Sequence, residues 1–377
     1  MNAYVKRDLY LNRLIVRRDN GQIKAVTGPR RSGKSFLLDP IYKDYLLSKG
    51  IPEDNIIIIS FDIEDEDTPQ ELLDREKLKE YLYSRIASQT ENYYVFLDEI
   101  QEVDGFERIV NGLNKRQNVD VYVTGSNSKF LSSEINTIFR GRSDEVSVLP
   151  FTFREFCQDR QESVNDLWKE YYTYGGLPAL RKMPTAEQKT TYIQKLWKKT
   201  YLDDVVERHN VENREALEAI ADALCSSIGS LTNTTRITNT LGSVRKIKIT
   251  DDTVAKYIGY LEEAFLFNEA RRYNIKGNKY YENIKKYYSI DVGLRNARLN
   301  YRQLEQTHLM ENIIFNELLY RGYVVDVGVV EHRKMVDGKS EYKQYEVDFI
   351  ATDGNEKYYI QSAYEIETEE KREQELN

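Results

Sequence analysis

Residues 28–35, GPRRSGKS, constrain this chain more than any other stretch. They match the pattern G-x-x-x-x-G-K-[ST] at every fixed position, in which the backbone N–H groups of a glycine-rich loop surround phosphate oxygens. The run Ile23–Thr27 before them predicts a buried strand, and residues 35–38 after them predict the first turn of a helix. This order favours an anion site, because a helix N-terminus adds partial positive charge.

The fixed residues of the loop have separate expected roles. Lys34 is predicted to reach the β- and γ-phosphates of a nucleotide, and the Ser35 hydroxyl to bind Mg²⁺. The predicted nucleotide contacts are Gly28, Pro29, Arg30, Arg31, Ser32, Gly33, Lys34, Ser35 and Phe36.

A second run, residues 93–99, consists of apolar residues followed by two carboxylates, Asp98 and Glu99. A strand ending in Asp, about 60 residues after a phosphate loop, is typical of the Mg²⁺ side of a P-loop ATPase site, so Asp98 is predicted to hold the metal through water. Glu99 is predicted to polarise the attacking water as a general base. Two ordinary acids at a strand end are the alternative.

Two further segments supply candidates for contact with the γ-phosphate. The run at residues 119–127 predicts a strand that ends in small polar residues, and Ser126 or Asn127 at its tip is predicted to contact the γ-phosphate or the lytic water. Arg142, in FRGR, is a candidate for stabilising transition-state charge, in its own chain or in a neighbouring one. A Gly-Ser turn and a solvated basic turn are the respective alternatives.

Strands and helices alternate from residue 20 to residue 150, which predicts an α/β fold with a parallel sheet covered on both faces. Phosphate sites in such sheets lie at the carboxyl ends of the strands. Gly28, Asp98 and Ser126 all fall at such ends. Residues 1–150 are therefore predicted to form a P-loop ATPase core.

Composition limits the remaining possibilities. The 377 residues carry a net charge of −8, which argues against indiscriminate nucleic-acid binding. The two cysteines have no metal-type spacing, the N-terminus has no signal-peptide core, and no apolar run approaches a membrane span. We therefore expect a cytoplasmic protein without a membrane partner.

Residues 151–377 predict three further parts. Aromatic-rich helices over residues 151–214 predict a helical lid on the nucleotide domain. Residues 215–300 read as three short helices and a β-hairpin, a winged-helix arrangement. Residues 236–298 contain 13 basic and 7 acidic side chains, a net of +6 that favours contact with a phosphate backbone. A winged helix used only for packing is the alternative.

Residues 301–377 predict a small α+β domain of the restriction-endonuclease kind. Metal-dependent nucleases of this kind place an acid on a helix, an Asp on one strand and E-x-K on the next. Glu311 and Asp348 match the first two positions, but Gln361 and Ala363 stand where Glu and Lys are needed. We therefore expect an inactive nuclease-like site, although Glu311 and Asp348 could still form a weak metal site.

The motifs in their order identify a resemblance. The segments GPRRSGKS, YYVFLDEIQ, VYVTGSNS, FRGR followed by LPFTFREF, YYTYGGLPAL, HLMENIIFNELLYRGY, EVDFIA and YYIQSAY resemble the prokaryotic AAA-like ATPases that carry a C-terminal domain of unknown function. The resemblance implies an ATP-binding and ATP-hydrolysing core, a winged-helix segment and a nuclease-like end. Members of this family usually continue beyond the point that corresponds to Asn377, so we expect a shortened last domain.

Together these patterns predict a Mg²⁺-dependent ATPase in which nucleotide state moves the winged-helix and nuclease-like parts. Two alternatives stay open: a nucleotide-dependent switch that binds DNA or docks a partner without significant turnover, and a DNA-processing nuclease. A small-molecule kinase is disfavoured, because Glu99 beside Asp98 suits water activation. DNA, through the winged-helix segment, and a second copy of the chain are the macromolecular partners that the sequence leaves open.

Overall fold

The computed structural model describes residues 4–62, 69–125, 138–139, 141–336 and 339–364. The chain divides into two compact units, Met1–Pro150 and Phe151–Asn377. Among the described residues, no helix combines the length and apolar character needed to cross a membrane.

The first unit contains a five-stranded parallel sheet. Its strands lie in the order β2-β3-β4-β1-β5, and each pairs in parallel with its neighbours. The strands are β1 (Ile23–Thr27), β2 (Ile56–Ser60), β3 (Tyr93–Asp98), β4 (Val119–Thr124) and β5 (Ser143–Ser147). Every residue of β1, β3 and β4 is buried, so both faces of the central sheet are covered. The predicted α/β parallel-sheet core is confirmed.

Helices pack on the two faces because successive strand residues point in opposite directions. Tyr93, Val95 and Leu97 of β3 belong to one apolar core, whereas Tyr94 and Phe96 are buried towards the other face. The helices of this unit are α1 (Asp8–Arg17), α2 (Lys34–Phe36), α3 (Lys43–Ser48), α4 (Arg75–Arg85) and α5 (Phe106–Leu113), and a segment at Leu37–Tyr42 that is kinked at Asp39 connects α2 with α3.

The second unit begins with a series of helices. They are α6 (Phe153–Phe156), α7 (Val164–Tyr174), α8 (Ala186–Lys195), α9 (Asp203–Arg208), α10 (Arg214–Ser226), α11 (Thr234–Thr240), α12 (Asp251–Glu263), α13 (Val292–Arg298) and α14 (Gln306–Arg321). Polar side chains start several of them: Thr152 forms a capping box with Glu155 at α6, and Thr250 caps α12 by accepting a hydrogen bond from the N–H of Thr253.

The same unit contains a second five-stranded sheet in the order β10-β9-β8-β6-β7. Its strands are β6 (Phe267–Asn274), β7 (Lys279–Ser289), β8 (Val324–Val336), β9 (Lys339–Asp353) and β10 (Glu356–Ile360). The pair β6–β8 is parallel and the other pairs are antiparallel. The predicted order of three helices (α10 to α12) and a hairpin is present, but the hairpin shares one sheet with β8, β9 and β10. The division at residues 214 and 300 stays a prediction.

Candidate functional site

The phosphate loop (residues 28–35) follows β1 directly, as predicted. Gly28 has φ of +131° and Gly33 has φ of +93°, conformations that side chains with a Cβ rarely adopt. A Cβ at Gly28 would also lie only 2.2 Å from the carbonyl oxygen of Val148. The first glycine of the motif is therefore required both by the turn and by the close approach of the chain after β5.

Lys34 is the buried cation of the loop. Its Nζ donates to the carbonyl oxygens of Gly28 and Pro29 at 3.1 Å each, and it lies 3.9 Å from Glu99 Oε1. Burial lowers the pKa of Lys34, and the negative charges of Glu99 and Asp98 oppose this shift. The lysine is therefore held over the loop between backbone oxygens and the strand-end acids.

Asp98, at the end of β3, joins the loop to two strand ends. The Ser35 hydroxyl donates to Asp98 Oδ1 at 2.9 Å, and the Thr124 hydroxyl donates to the same oxygen at 2.6 Å. Ser60 at the end of β2 donates to Asp98 Oδ2 at 3.4 Å. Burial raises the pKa of Asp98, while the hydrogen bonds from Thr124 and Ser35 act in the opposite direction. Ser35 and Asp98 are thus adjacent, as a shared metal requires.

Mg²⁺ fits this pair of residues. It prefers oxygen ligands and is usually held in proteins by one or two carboxylates together with substrate phosphates and water. The described residues contain no group of three or more His, Cys, Asp or Glu side chains arranged to hold a metal ion. One hydroxyl and one carboxylate 2.9 Å apart nevertheless supply the oxygen donors that a phosphate-bound Mg²⁺ requires from the protein.

Glu99 lies next to Asp98 in an unusual backbone conformation. Its φ of +50° is positive, which is uncommon for a residue with a side chain. Its N–H donates to the Thr124 hydroxyl at 2.9 Å, and its Oε2 accepts a hydrogen bond from Gln101 Nε2 at 2.5 Å. The turn after β3 therefore directs the two acids differently, and Glu99 is held by Gln101 on one side and faces Lys34 on the other.

Three residues of this site are not among those predicted from the sequence. Thr124 and Gln101 orient the acids, and Arg7 supports the loop from outside: its Nη1 donates to the Ser32 carbonyl at 3.0 Å and its Nη2 to the Leu149 carbonyl at 2.7 Å. Thr124 had a usable signal, since it is the last residue of an apolar strand. Arg7 had none, because its partners lie 25 and 142 residues away.

The other residues predicted to contact the nucleotide differ in their exposure to solvent. Arg30 is partly buried and Arg31 is exposed, with φ of +62° in Arg31. Phe36 is 48% exposed, and its ring packs edge to face on Tyr4 with centroids 5.7 Å apart. Ser126 and Asn127 lie outside the described residues. Contacts of these residues with a nucleotide stay predictions.

Arg142 lies at the other end of the sheet. Its carbonyl accepts a hydrogen bond from the N–H of Ile23 at 2.8 Å, at the start of β1. The phosphate loop follows the far end of β1, about 16 Å away for five strand residues. Arg142 therefore lies away from the loop of its own chain, which corrects the prediction that it could act on the γ-phosphate there. Action on a neighbouring copy stays a prediction.

The second unit contains the other predicted site. Glu311 and Asp348 are both buried, with exposed fractions of 7% and 9%. The N–H and hydroxyl of Ser362 each donate to Asp348 Oδ2 at 2.7 Å, and Gln361 Oε1 accepts from the N–H of Asp348 at 3.2 Å. Residues 361–363 follow β10 directly, so the expected neighbourhood of Asp348 and Gln361 is present.

Several basic side chains of residues 236–298 are occupied by internal contacts. Arg272, Lys286 and Arg295 are buried, with 7%, 3% and 1% exposed. Lys285 pairs with Glu269 at 2.6 Å, and Arg298 pairs with Asp222 at 2.5 Å. The positive charge in the sequence therefore overstates the positive charge offered at the surface, and DNA contact stays a prediction.

Comparisons with known proteins also indicate a nucleotide-binding domain. A model described as "AAA domain" matches residues 20–157, and one described as "Domain of unknown function (DUF8612)" matches residues 165–305. The chain thus contains a nucleotide-binding domain of the AAA type, and the phosphate loop and both strand-end acids fall inside it.

Two curated relatives match almost the whole chain. An uncharacterized protein of Haemophilus influenzae is 35% identical over 369 residues, which cover 97% of this chain and 88% of that protein. An uncharacterized protein of Methanocaldococcus jannaschii is 29% identical over 366 residues, which cover 93% and 77%.

Among solved structures, the Aeropyrum pernix ORC1 protein in complex with DNA matches with a TM-score of 0.34 and 14% identity, over 80% of this chain and 94% of that one. This similarity is too low to carry an inference. The relationship with the Haemophilus influenzae protein is much closer. The chain belongs to the same family as that protein, a family of P-loop ATPases in which an AAA domain precedes a domain of unknown function.

Proposed function

We propose that this protein hydrolyses ATP with Mg²⁺ at the phosphate loop. The observation that carries this proposal is the contact of the Ser35 hydroxyl with Asp98, 2.9 Å apart at the end of β3. A loop serine and a strand-end aspartate are the two groups that hold Mg²⁺ in P-loop ATPases. The metal, when bound, neutralises charge on the β- and γ-phosphates.

The remaining roles follow from the same geometry. The loop N–H groups and Lys34 bind the phosphates, and Gly28 lets the backbone approach them. Glu99 orients and deprotonates the attacking water, held by Gln101 at 2.5 Å and facing Lys34 at 3.9 Å. Thr124 fixes the positions of the two acids relative to each other, because its hydroxyl donates to Asp98 and accepts from the N–H of Glu99.

The metal role of Ser35 and Asp98 can be tested by nucleotide binding. We expect Ser35→Ala and Asp98→Asn to weaken binding of an ATP analogue by about tenfold when Mg²⁺ is present, and to have little effect in EDTA. Ser48→Ala is a matched control, since the exposed Ser48 hydroxyl donates only to a local carbonyl, that of Tyr45 at 2.6 Å. Equal losses with and without Mg²⁺ would show that the pair does not hold a metal.

We further propose that hydrolysis drives movement of the parts in Phe151–Asn377. A binding-only switch remains the main alternative, and it predicts nucleotide affinity without turnover. Measuring ATP turnover with and without double-stranded DNA tests the coupling to nucleic acid. Stimulation that disappears at high salt would support contact with a phosphate backbone, and unchanged turnover would remove DNA as the partner.

A further inference from the structure

A cluster of charged side chains, three of them buried and Glu346 31% exposed, joins three elements of the second unit. Lys286 comes from β7, Glu311 from α14, and Glu346 and Asp348 from β9. Lys286, Glu311 and Asp348 are only 3%, 7% and 9% exposed. Charges at this depth are expensive unless they are paired, so the cluster needs internal compensation.

Lys286 supplies this compensation. Its Nζ lies 2.9 Å from Glu311 Oε1 and 2.7 Å from Glu346 Oε1. Burial alone would lower the pKa of Lys286, but the charges of Glu311 and Glu346 outweigh it and the pKa is raised. The ammonium group therefore lies between two carboxylates from different elements and remains charged at neutral pH.

The other carboxylate contacts are also made by the chain itself. The Tyr288 hydroxyl donates to Glu311 Oε1 at 2.6 Å, the same oxygen that faces Lys286. Asp348 Oδ2 accepts both the N–H and the hydroxyl of Ser362 at 2.7 Å. A divalent cation would need several of these oxygens turned towards one point. Here one oxygen of each carboxylate faces a protein donor instead: Oε1 of Glu311 and Glu346, and Oδ2 of Asp348.

We propose that Lys286 is the resident cation of this cluster and excludes divalent metal ions from it. The cluster is an ionic lock (Lys286, Glu311, Glu346) that fastens β7 and α14 to β9. A lysine from β7 thus supplies the positive charge for which Ala363 offers no side chain. The lock holds whether or not the first unit hydrolyses ATP.

Removing the lysine should therefore create a metal site. We expect Lys286→Ala to lower the melting temperature of the full chain, and Mn²⁺ to restore it, when measured without nucleotide. Lys286→Met should lose stability without regaining it in Mn²⁺, because its side chain still fills the position. Lys285→Ala is the matched control, since Lys285 is the adjacent residue but its ammonium group pairs with Glu269 at 2.6 Å and its side chain is 31% exposed. It should show no Mn²⁺ effect.

The double variant Lys286→Ala/Glu311→Gln should bind Mn²⁺ at least about tenfold more weakly than Lys286→Ala, as the loss of a metal ligand requires. Failure of Mn²⁺ to stabilise Lys286→Ala would overturn the proposal. If that variant does not fold, Mn²⁺ binding to the wild-type chain and to Glu311→Gln is measured by electron paramagnetic resonance and compared. Equal binding supports the lock, and weaker binding to Glu311→Gln shows that a metal already occupies the cluster.

Discussion

Replacing Arg7 with methionine removes the donor of two buried backbone carbonyls. Arg7 is 3% exposed, and its guanidinium lies 4.6 Å from the centre of the Tyr10 ring. It donates to the carbonyl of Ser32 in the phosphate loop and to that of Leu149 after β5. The N–H groups of such a loop face the phosphate, so Arg7 holds the outer side of the loop in place.

The size of the effect follows from these contacts. A hydrogen bond from a charged donor contributes about 1.5–3 kcal/mol, and a buried carbonyl left without a donor costs a similar amount. Two such bonds, partly replaced by water in the variant, predict a loss of about 3 kcal/mol in the free energy of unfolding. If the shifted loop loses one N–H contact with phosphate, nucleotide affinity falls by about 1.4 kcal/mol, or tenfold.

The assay combines urea unfolding with steady-state ATP turnover. We expect Arg7→Met to raise KM about tenfold and to leave kcat nearly unchanged, because the loop holds the phosphates equally in the ground and transition states. Arg13→Ala is the control, since Arg13 lies over the same Tyr10 ring at 5.4 Å and its replacement keeps both carbonyl contacts of Arg7. Unchanged stability and KM in Arg7→Met would refute the positioning role.

Two further predictions concern buried charges. Lys24→Met should lower the free energy of unfolding of the first unit, measured in urea, by about 3–5 kcal/mol. It removes the partner of Asp120, which is only 6% exposed, and leaves a buried charge without its counter-ion. The double variant Lys24→Met/Asp120→Leu should recover most of the loss. Burial raises the pKa of Asp291 from 3.8 to about 6. The folded chain therefore holds this proton more tightly than the unfolded chain, and the stability it gives is present below pH 4 and lost as pH rises through about 6. The free energy of unfolding of the wild type relative to Asp291→Asn should thus fall by up to about 3 kcal/mol between pH 4 and pH 7, and a pH-independent difference would contradict the shift.

The elements of the nucleotide domain could be predicted because local patterns determine them. Four of the five parallel strands coincide with short apolar runs, since strands buried on both faces need apolar residues. The edge strand β5 is mostly polar and only partly buried. Gly28, Lys34, Ser35, Asp98 and Glu99 follow from the motif and from the rule that strand ends meet at one edge. These positions require no knowledge of distant contacts.

The remaining features depend on contacts between distant residues. Arg7 reaches the loop from α1, and no local pattern marks it. Arg142 was a candidate for contact with the γ-phosphate, but it precedes β5 and therefore lies beside Ile23, at the opposite end of the sheet from the loop. Lys286 lies on β7, whereas the nuclease pattern directs attention to Ala363 after β10. Arg272 contributes to the net charge of its segment but is buried.

Glu99 is proposed to activate water for ATP hydrolysis at this loop. This role is tested by comparing Glu99→Gln with Glu102→Gln in ATP turnover and in nucleotide binding. Glu102→Gln is the control, because it makes the same change at a partly buried residue whose Oε1 lies 3.4 Å from Nε2 of the same Gln101. We predict that Glu99→Gln binds ATP as tightly as the wild type and turns it over about 10²–10⁴-fold more slowly, whereas Glu102→Gln behaves as the wild type. Turnover by Glu99→Gln at the wild-type rate would contradict the proposed mechanism.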